Sequence, residues 1–187
     1  DPVADRVEAG GVEYLATHLS TLAATEPNTL IVAAGDLIGA SPLLSSAFHD
    51  EPTIEAMNAL ELAVTTVGNH EFDEGSAELL RMQRGGCHPI DGCQDSDPFN
   101  GAQFTYLAAN VVEHSTNTTL FPPYTIRQFD AVRIAFIGLP LKGTPLVSTA
   151  KGVAGLRFLD EVETINKWVS VVRNQGIETI VVLLHEG

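Results

Sequence analysis

Basic residues are scarce in this 187-residue chain, which has 10 lysines and arginines against 24 aspartates and glutamates. The resulting formal net charge of −14 disfavours nucleic acid and anionic membranes as partners, because both are bound through cationic surfaces. No run of apolar residues approaches the length that a membrane-spanning helix needs. Because 44% of the residues are hydrophobic and only 18% are charged, the composition is that of a folded domain with a substantial core.

Cysteine is nearly absent: the two cysteines, Cys87 and Cys93, lie in the loop-like segment GCHPIDGC. Their proximity in a Gly- and Pro-containing stretch favours a local disulfide, which implies an oxidising compartment. Two alternatives stay open, namely free thiols and a zinc site that adds His88 to the two cysteines. The zinc site lacks a fourth ligand nearby and has an unusual cysteine spacing.

Several catalytic motifs are also missing. No G-x-G-x-x-G follows a strand-like run, residues 138–144 have the wrong order for a phosphate-binding loop, and no G-x-S-x-G is present. These absences exclude common dinucleotide-binding, P-loop and serine hydrolase sites. Three histidines, His18, His49 and His114, are predicted to be solvated side chains on a helix face or in loops.

Apolar patterning predicts alternating helices and strands. Helical spacing is found in residues 11–25, from residue 53 onward, in 75–84 and in 160–174, and residues 85–101 form an irregular excursion. Strand-like runs are found in residues 29–34, 63–67, 104–112, 124–129, 132–139 and 179–184. This order predicts an α/β fold, the clustered middle strands indicate a second sheet, and 124–129 with 132–139 are predicted to form a hairpin.

Polar side chains follow three of the buried strands: Asp36 after 29–34, Asn69 and His70 after 63–67, and His185 after 179–184. Ligands of α/β sheets bind at the carboxyl ends of strands, so these residues are placed to converge although they are distant in sequence. A carboxylate can bridge two cations, while Asn and His each offer one neutral ligand atom. Ordinary turn and capping roles are the alternative for each residue taken alone.

His70 and Asp73 are three residues apart, a spacing that lets a carboxylate hydrogen-bond an imidazole. Such a bond fixes the tautomer of the ring and favours its protonated form. The pair therefore suits a general acid that protonates a leaving group, although His-x-x-Asp is by itself a common surface pair.

The segments Gly35-Asp36 and GNHEFD (68–73) resemble the signature of the calcineurin-like metallophosphoesterase superfamily, and GNHEFDEG resembles its secreted bacterial 5′-nucleotidase branch. The resemblance implies a four-layer α/β/β/α sandwich that binds two divalent metal ions, with zinc, manganese, iron and cobalt as candidates. It also implies in-line attack on phosphorus by a metal-activated hydroxide.

The resemblance assigns roles to five residues. Asp36 matches the aspartate that bridges the two metals, Asn69 matches the asparagine ligand of the second metal, and His185 matches a late histidine ligand. His70 matches the catalytic histidine that contacts the scissile phosphate, and Asp73 matches its carboxylate partner. Asn69 and His70 are thereby also predicted to bind substrate.

The chain departs from the family pattern in what it lacks. No Asp-x-His strand, Gly-His-x-His segment or C-terminal nucleotide-binding domain is present in residues 1–187. We therefore expect a partial metallophosphoesterase catalytic domain, truncated at both ends and impaired by itself.

The leading functional hypothesis is a secreted, periplasmic or cell-surface bacterial 5′-nucleotidase that releases phosphate from nucleoside 5′-monophosphates. Its expected partner is a small nucleotide rather than nucleic acid, and the sequence does not predict an oligomeric state. Alternatives within the family are a 2′,3′-cyclic-nucleotide phosphodiesterase and a nucleotide-sugar hydrolase. The alternative from another class is a non-catalytic metal- or ligand-binding fragment.

Overall fold

A computed structural model of the chain describes residues 10–94 and 97–186. Its helices are α1 (Val12–Ala23), α2 (Leu43–Ser46), α3 (Glu51–Ala59), α4 (Ser76–Arg84), α5 (Thr144–Val147) and α6 (Glu161–Arg173), with a 3-10 turn at His70–Phe72. Its strands are β1 (Ile31–Ala33), β2 (Leu62–Thr66), β3 (Thr105–Leu107), β4 (Val111–Glu113), β5 (Tyr124–Phe129), β6 (Val132–Pro140), β7 (Leu156–Phe158) and β8 (Thr179–His185). Residues 95 and 96 of the predicted excursion, and the terminal residues 1–9 and 187, lie outside the described residues.

The strands form two three-stranded sheets and one two-stranded ribbon. The first sheet has the order β1-β2-β3 and is parallel throughout. The second has the order β5-β6-β8, in which β5 and β6 form the predicted antiparallel hairpin and β8 pairs parallel to β6. In the ribbon, β4 pairs antiparallel to β7.

Three layers of apolar contacts show how the sheets and helices stack. Side chains of α3 and α4, including Ile54, Leu79 and Met82, join the core on one side of the first sheet. Between the two sheets the core consists of Val64, Leu107, Phe136 and Leu183. On the outer side of the second sheet, Val172 of α6 packs with Ala135 and Ile177. The order helix, sheet, sheet, helix confirms the predicted α/β/β/α sandwich.

The single strand predicted over residues 104–112 is wrong, because the structure divides it between β3 and β4 in different sheets. The break coincides with the buried Asn110, whose Nδ2 donates hydrogen bonds to the carbonyl oxygens of Pro140, at 2.8 Å, and Leu159, at 3.2 Å. These bonds go to chain segments outside both strands. A buried amide needs hydrogen-bond partners of this kind. Forming these hydrogen bonds is favoured over continuing a single strand through Asn110.

Local signals account for the start of α6. The side chain of Asp160 accepts a hydrogen bond from the backbone N–H of Glu163 and so caps the N-terminus of the helix. No helix in the described part of the chain has the length and apolar character to cross a membrane.

Candidate active site

Three strand ends meet at one edge of the molecule. Asp36 follows β1, Asn69 follows β2, and His185 is the last residue of β8. Nε2 of His185 lies 3.2 Å from Oδ2 of Asp36 and 3.1 Å from Oδ1 of Asn69. The structure therefore brings together three side chains that the sequence places far apart.

The hydrogen bonds of His185 indicate what the three side chains share. Its Nδ1 lies 2.8 Å from the carbonyl oxygen of Ala34, which accepts only if Nδ1 carries the proton. When the ring is neutral in this tautomer, the lone pair of Nε2 faces the oxygens of Asp36 and Asn69, so three acceptor atoms point at one another. A shared cation removes the repulsion among them. One imidazole nitrogen, one carboxylate oxygen and one amide oxygen form a donor set that fits a divalent ion.

Glycines let the backbone approach this point closely. A Cβ atom on Gly68 would lie 2.1 Å from Oδ1 of Asp36, and one on Gly35 would lie 2.6 Å from the backbone nitrogen of Gly68. Asp36 itself has a positive φ of 52°, a conformation that costs energy for a residue with a side chain. Backbone strain of this kind is common where a side chain is held in a functional position.

Glu71 supports the two strand ends from beneath. Its buried carboxylate accepts hydrogen bonds from the backbone N–H groups of Asp36, Leu37 and Gly68, at 2.9, 2.8 and 2.6 Å. Burial raises the pKa of Glu71 to about 7, while the three N–H groups act in the opposite direction. This role of Glu71 was not predicted from the sequence, since a Glu inside a polar motif gives no sign of being buried.

His70 and Asp73 form the predicted pair, with Nδ1 of His70 2.7 Å from Oδ2 of Asp73. The hydrogen bond to Asp73 raises the pKa of His70, despite an opposing effect of burial. The backbone N–H of His70 also donates to Oδ1 of Asp36 at 3.0 Å, which ties the pair to the strand ends. Both side chains are more than one-third exposed and so remain accessible to a ligand.

Two cavities adjoin the pair. One of about 120 Å³ is lined by His70, Asp73 and Glu71, and a neighbouring one of about 570 Å³ is lined by Asp73, Lys151 and the loop around His88. The exposed imidazole therefore opens onto space that a small ligand can enter.

No protein-family model matches the chain. Among curated proteins, the chain is 47% identical over 131 residues to a protein of Acinetobacter calcoaceticus named "Uncharacterized protein in pqq-V 5'region", covering 68% of the chain and 64% of that protein. It is 38% identical to Endonuclease YhcR of Bacillus subtilis, covering 94% of the chain and 14% of that protein. It is also 32% identical to a 2′,3′-cyclic-nucleotide 2′-phosphodiesterase/3′-nucleotidase of Yersinia enterocolitica, covering 86% of the chain and 24% of that protein.

Solved structures agree with these similarities. A 5′-nucleotidase precursor from Thermus thermophilus superimposes with a TM-score of 0.78 at 27% identity, covering 95% of the chain and 32% of that protein. The calcineurin-like phosphoesterase YfkN from Bacillus subtilis superimposes with a TM-score of 0.74 at 26% identity, covering 100% of the chain and 57% of that protein. The chain is thus similar in sequence and fold to calcineurin-like phosphoesterases and 5′-nucleotidases. Its relatives include 5′-nucleotidases, and the predicted family resemblance is confirmed.

Calcineurin-like phosphoesterases use a dinuclear divalent metal centre. The chain spans between 14% and 64% of the length of the three curated relatives described above. Among its described residues, Asp36, Asn69 and His185 bring together donor atoms of the kind that such a centre uses.

The two cysteines form the predicted Cys87–Cys93 disulfide. Both sulfur atoms are thereby used, which removes the alternatives of free thiols and of a zinc site built on the two cysteines with His88. The prediction of a solvated His49 is wrong, because its side chain is only 19% exposed and its ring stacks on that of His88. Local sequence could not reveal this contact, since 39 positions separate the two histidines, from residue 49 to residue 88.

Proposed function

We propose that the chain is part of the catalytic domain of a metal-dependent nucleotide phosphohydrolase, most specifically a 5′-nucleotidase. The observation that carries this proposal is the convergence of Nε2 of His185 with the oxygens of Asp36 and Asn69 at three strand ends. The assignment of the chain to a catalytic domain is supported by its fold and by the limited share of its relatives that it spans.

In this proposal Asp36, Asn69 and His185 hold a divalent ion, with Asp36 positioned to share its second oxygen with a partner ion. Bound divalent ions would polarise the phosphoryl oxygens and lower the pKa of water to give a nucleophile. The acidic chain otherwise repels nucleotides, so a positive centre at this edge would reverse the local potential. Zinc, manganese, iron and cobalt all suit the donor set.

His70 acts as the group that contacts the phosphate ester and protonates the leaving oxygen. The raised pKa of its imidazole favours the protonated form that a general acid needs. Asp73 is a positioning residue, because its carboxylate accepts from Nδ1 of His70 and leaves Nε2 directed elsewhere for the substrate. Asn69 lies beside His70 and is proposed to contact the same phosphate through its side chain.

The preference for nucleoside 5′-monophosphates is supported by the 5′-nucleotidase structure among the neighbours. The Yersinia relative makes a 2′,3′-cyclic nucleotide the second candidate substrate. A nucleotide sugar remains a third candidate, and a non-catalytic metal-binding role is the alternative outcome. An extracytoplasmic location is supported by the Cys87–Cys93 disulfide and by the description of the Thermus relative as a precursor.

The test compares the full-length gene product with its Asn69→Ala and His70→Ala variants. Release of phosphate is measured with AMP, and the same enzyme is assayed on 2′,3′-cyclic AMP, a nucleotide sugar and DNA, the last because one relative is named an endonuclease. We expect AMP to be the best substrate and His70→Ala to lower kcat by about 10²- to 10⁴-fold.

A matched control is His114→Ala, which removes an exposed histidine just after β4 and should leave the rate unchanged. Undiminished hydrolysis in both Asn69→Ala and His70→Ala would overturn the proposed roles. Normal folding and metal content with no hydrolysis of any substrate by the unmodified protein would favour the non-catalytic alternative.

A further inference from the structure

A second group of metal-competent side chains lies beside the active site and shares no residue with it. His49 lies in the turn between α2 and α3, and His88 lies in the loop closed by the disulfide. Glu74 lies just before α4, and Glu78 lies in its first turn. One ring nitrogen of each histidine and one carboxylate oxygen of each glutamate lie within 4.8 Å of one another.

The two imidazoles of this group are stacked. Their ring centroids are 3.9 Å apart and their planes differ by 12°. Oδ2 of Asp91 lies 3.0 Å from Nε2 of His49 and 3.3 Å from Nδ1 of His88, so one carboxylate faces one nitrogen of each ring. The second nitrogens, Nδ1 of His49 and Nε2 of His88, are left to act as ligands. Histidines that bind metals commonly donate their other N–H to a carboxylate in this way.

Glu74 supplies the third donor. Its Oε2 lies 2.9 Å from Nδ1 of His49, on the side of the ring opposite Asp91. Glu78 is instead engaged by Arg81, whose Nε lies 2.9 Å from both carboxylate oxygens and whose Nη2 lies 2.6 Å from Oε1. An oxygen bound by a guanidinium is a poorer ligand for a second cation, so Glu74 is the stronger candidate.

We propose that His49, His88 and Glu74 bind one divalent cation of the zinc type at a site separate from Asp36, Asn69 and His185. Two imidazoles and one carboxylate form a set that zinc uses in proteins, with a fourth position left for water. The negative charges of Glu74 and Asp91 beside the imidazoles favour a cation there.

Zinc binding at this site requires a change of tautomer at His88. In the structure the backbone N–H of Asp91 lies 3.1 Å from Nδ1 of His88, which then acts as an acceptor and leaves the ring proton on Nε2. With the cation on Nε2, the proton resides on Nδ1 and is donated to the Asp91 carboxylate. The His88 ring remains neutral in this exchange. The proton that Nδ1 of His49 donates to Glu74 must be released to solvent before Nδ1 can bind the cation.

The site would fix the disulfide-closed loop to two other elements. His88 comes from that loop, His49 from the α2–α3 turn, and Glu74 from the segment that directly follows Asp73. The cavity of about 570 Å³ is lined by all three of these ligands and by Asp73. A cation here therefore has a structural role, in holding one wall of the space beside the catalytic pair.

The test is a zinc titration of the unmodified protein and of Glu74→Gln and His88→Ala variants, by calorimetry and elemental analysis. We expect each variant to lose one zinc equivalent per chain, or to bind it at least about tenfold more weakly. Glu74→Gln keeps the size of the side chain, so its fold should be intact by circular dichroism. The increase in Tm that zinc produces in the unmodified protein should be smaller in both variants.

Two controls separate this site from the active site. His114→Ala should retain all the zinc of the unmodified protein, and His185→Ala should retain the equivalent that His88→Ala loses. The proposal is overturned if His88→Ala and Glu74→Gln bind zinc with unchanged stoichiometry and affinity. It is equally overturned if His185→Ala abolishes all zinc binding, since His49 and His88 would then bind no zinc independently of the active site.

Discussion

Nε2 of His185 and Oδ1 of Asn69 lie 3.1 Å apart, although 116 residues separate them in the chain. Asn69 follows a strand of the first sheet, whereas His185 ends a strand of the second. Their contact therefore depends on how the two sheets pack, which is fixed by Val64, Leu107, Phe136 and Leu183. The candidate metal site is a product of the sandwich as a whole rather than of either sheet alone.

Gly68→Ala should disrupt the site, because the added Cβ would lie 2.1 Å from Oδ1 of Asp36. The backbone conformation of Gly68 is one that alanine can adopt, so the effect comes from contact with Asp36 alone. Displacing this carboxylate should weaken Mn²⁺ binding by the full-length gene product at least about tenfold. The crowding should also lower the free energy of unfolding by about 1–3 kcal/mol. Calorimetric titration and urea unfolding measure the two effects.

Gly143→Ala is the matched control, since its Cβ would make only an ordinary contact of 3.4 Å with the side chain of Leu141. Equal Mn²⁺ affinity in the two variants would show that Gly68 does not govern the position of Asp36.

Much of this site was accessible from the sequence, because the rule that ligands bind at strand ends selects Asp36, Asn69 and His185 without a structure. His70 and Asp73 are equally visible as a local pair. The burial of Glu71 was not, since it depends on three backbone N–H groups from two separate strand ends. The contact between His49 and His88 was also hidden, because neither residue lies in a periodic segment.

Asp73→Asn should leave His70 in place but replace the charged hydrogen-bond acceptor of its Nδ1 with a neutral amide. The imidazole ring should then be oriented less firmly, and its protonated form should be less stabilised. We expect kcat on AMP to fall while KM changes little, because Asp73 acts through His70 rather than on the substrate. The measurement is steady-state kinetics of the full-length gene product. Glu55→Gln neutralises an exposed acid on α3 and serves as the control. A rise in KM at constant kcat would instead indicate that Asp73 binds the substrate.

Glu71→Gln should destabilise the fold although it preserves the shape of the side chain. The amide places an NH₂ group where the carboxylate now accepts from backbone N–H groups, so at least one buried donor loses its partner. The expected loss in the free energy of unfolding is about 1–3 kcal/mol, measured by urea denaturation. If Glu71→Gln and Glu55→Gln unfold at the same urea concentration, the buried carboxylate is not needed to hold the strand ends.

Removal of the disulfide with a Cys87→Ser/Cys93→Ser double variant should destabilise the protein by about 2 kcal/mol, as expected for closing a short loop. Treatment of the unmodified protein with dithiothreitol should reproduce the effect, and the double variant should not respond to it. Urea unfolding provides the measurement. Detection of two free thiols in the unreduced, unfolded protein would contradict the disulfide itself.

The division of residues 104–112 into β3 and β4 marks another limit of sequence reasoning. The segment is mostly apolar or aromatic, with Thr105 and Asn110 as its polar exceptions, and therefore favours one strand. Its interruption depends on the carbonyl oxygens of Pro140 and Leu159, which only the folded chain brings to Asn110. A buried polar side chain is thus the point at which local pattern and tertiary structure disagree.

Asp160 links the stability of α6 to pH in a direction that can be tested. Its carboxylate accepts from the backbone N–H of Glu163 and lies 3.3 Å from Nζ of Lys142, and both interactions lower its pKa from the ordinary value of 3.8. Because the folded pKa is below the unfolded one, Asp160 stabilises the fold above pH 3.8, and this stabilisation is lost as the pH falls through the folded value.

Asp160→Ala should therefore have a lower Tm than the unmodified protein at neutral pH, and the difference should shrink as the pH falls below 3.8. Thermal unfolding followed by circular dichroism at a series of pH values measures this convergence. Asp160→Asn separates the two interactions, because an amide oxygen can still cap the helix but carries no charge to attract Lys142. Its Tm should lie between the other two at neutral pH. The opposite result is a Tm difference between Asp160→Ala and the unmodified protein that stays constant into strong acid. That result would show that the ionised cap does not stabilise α6.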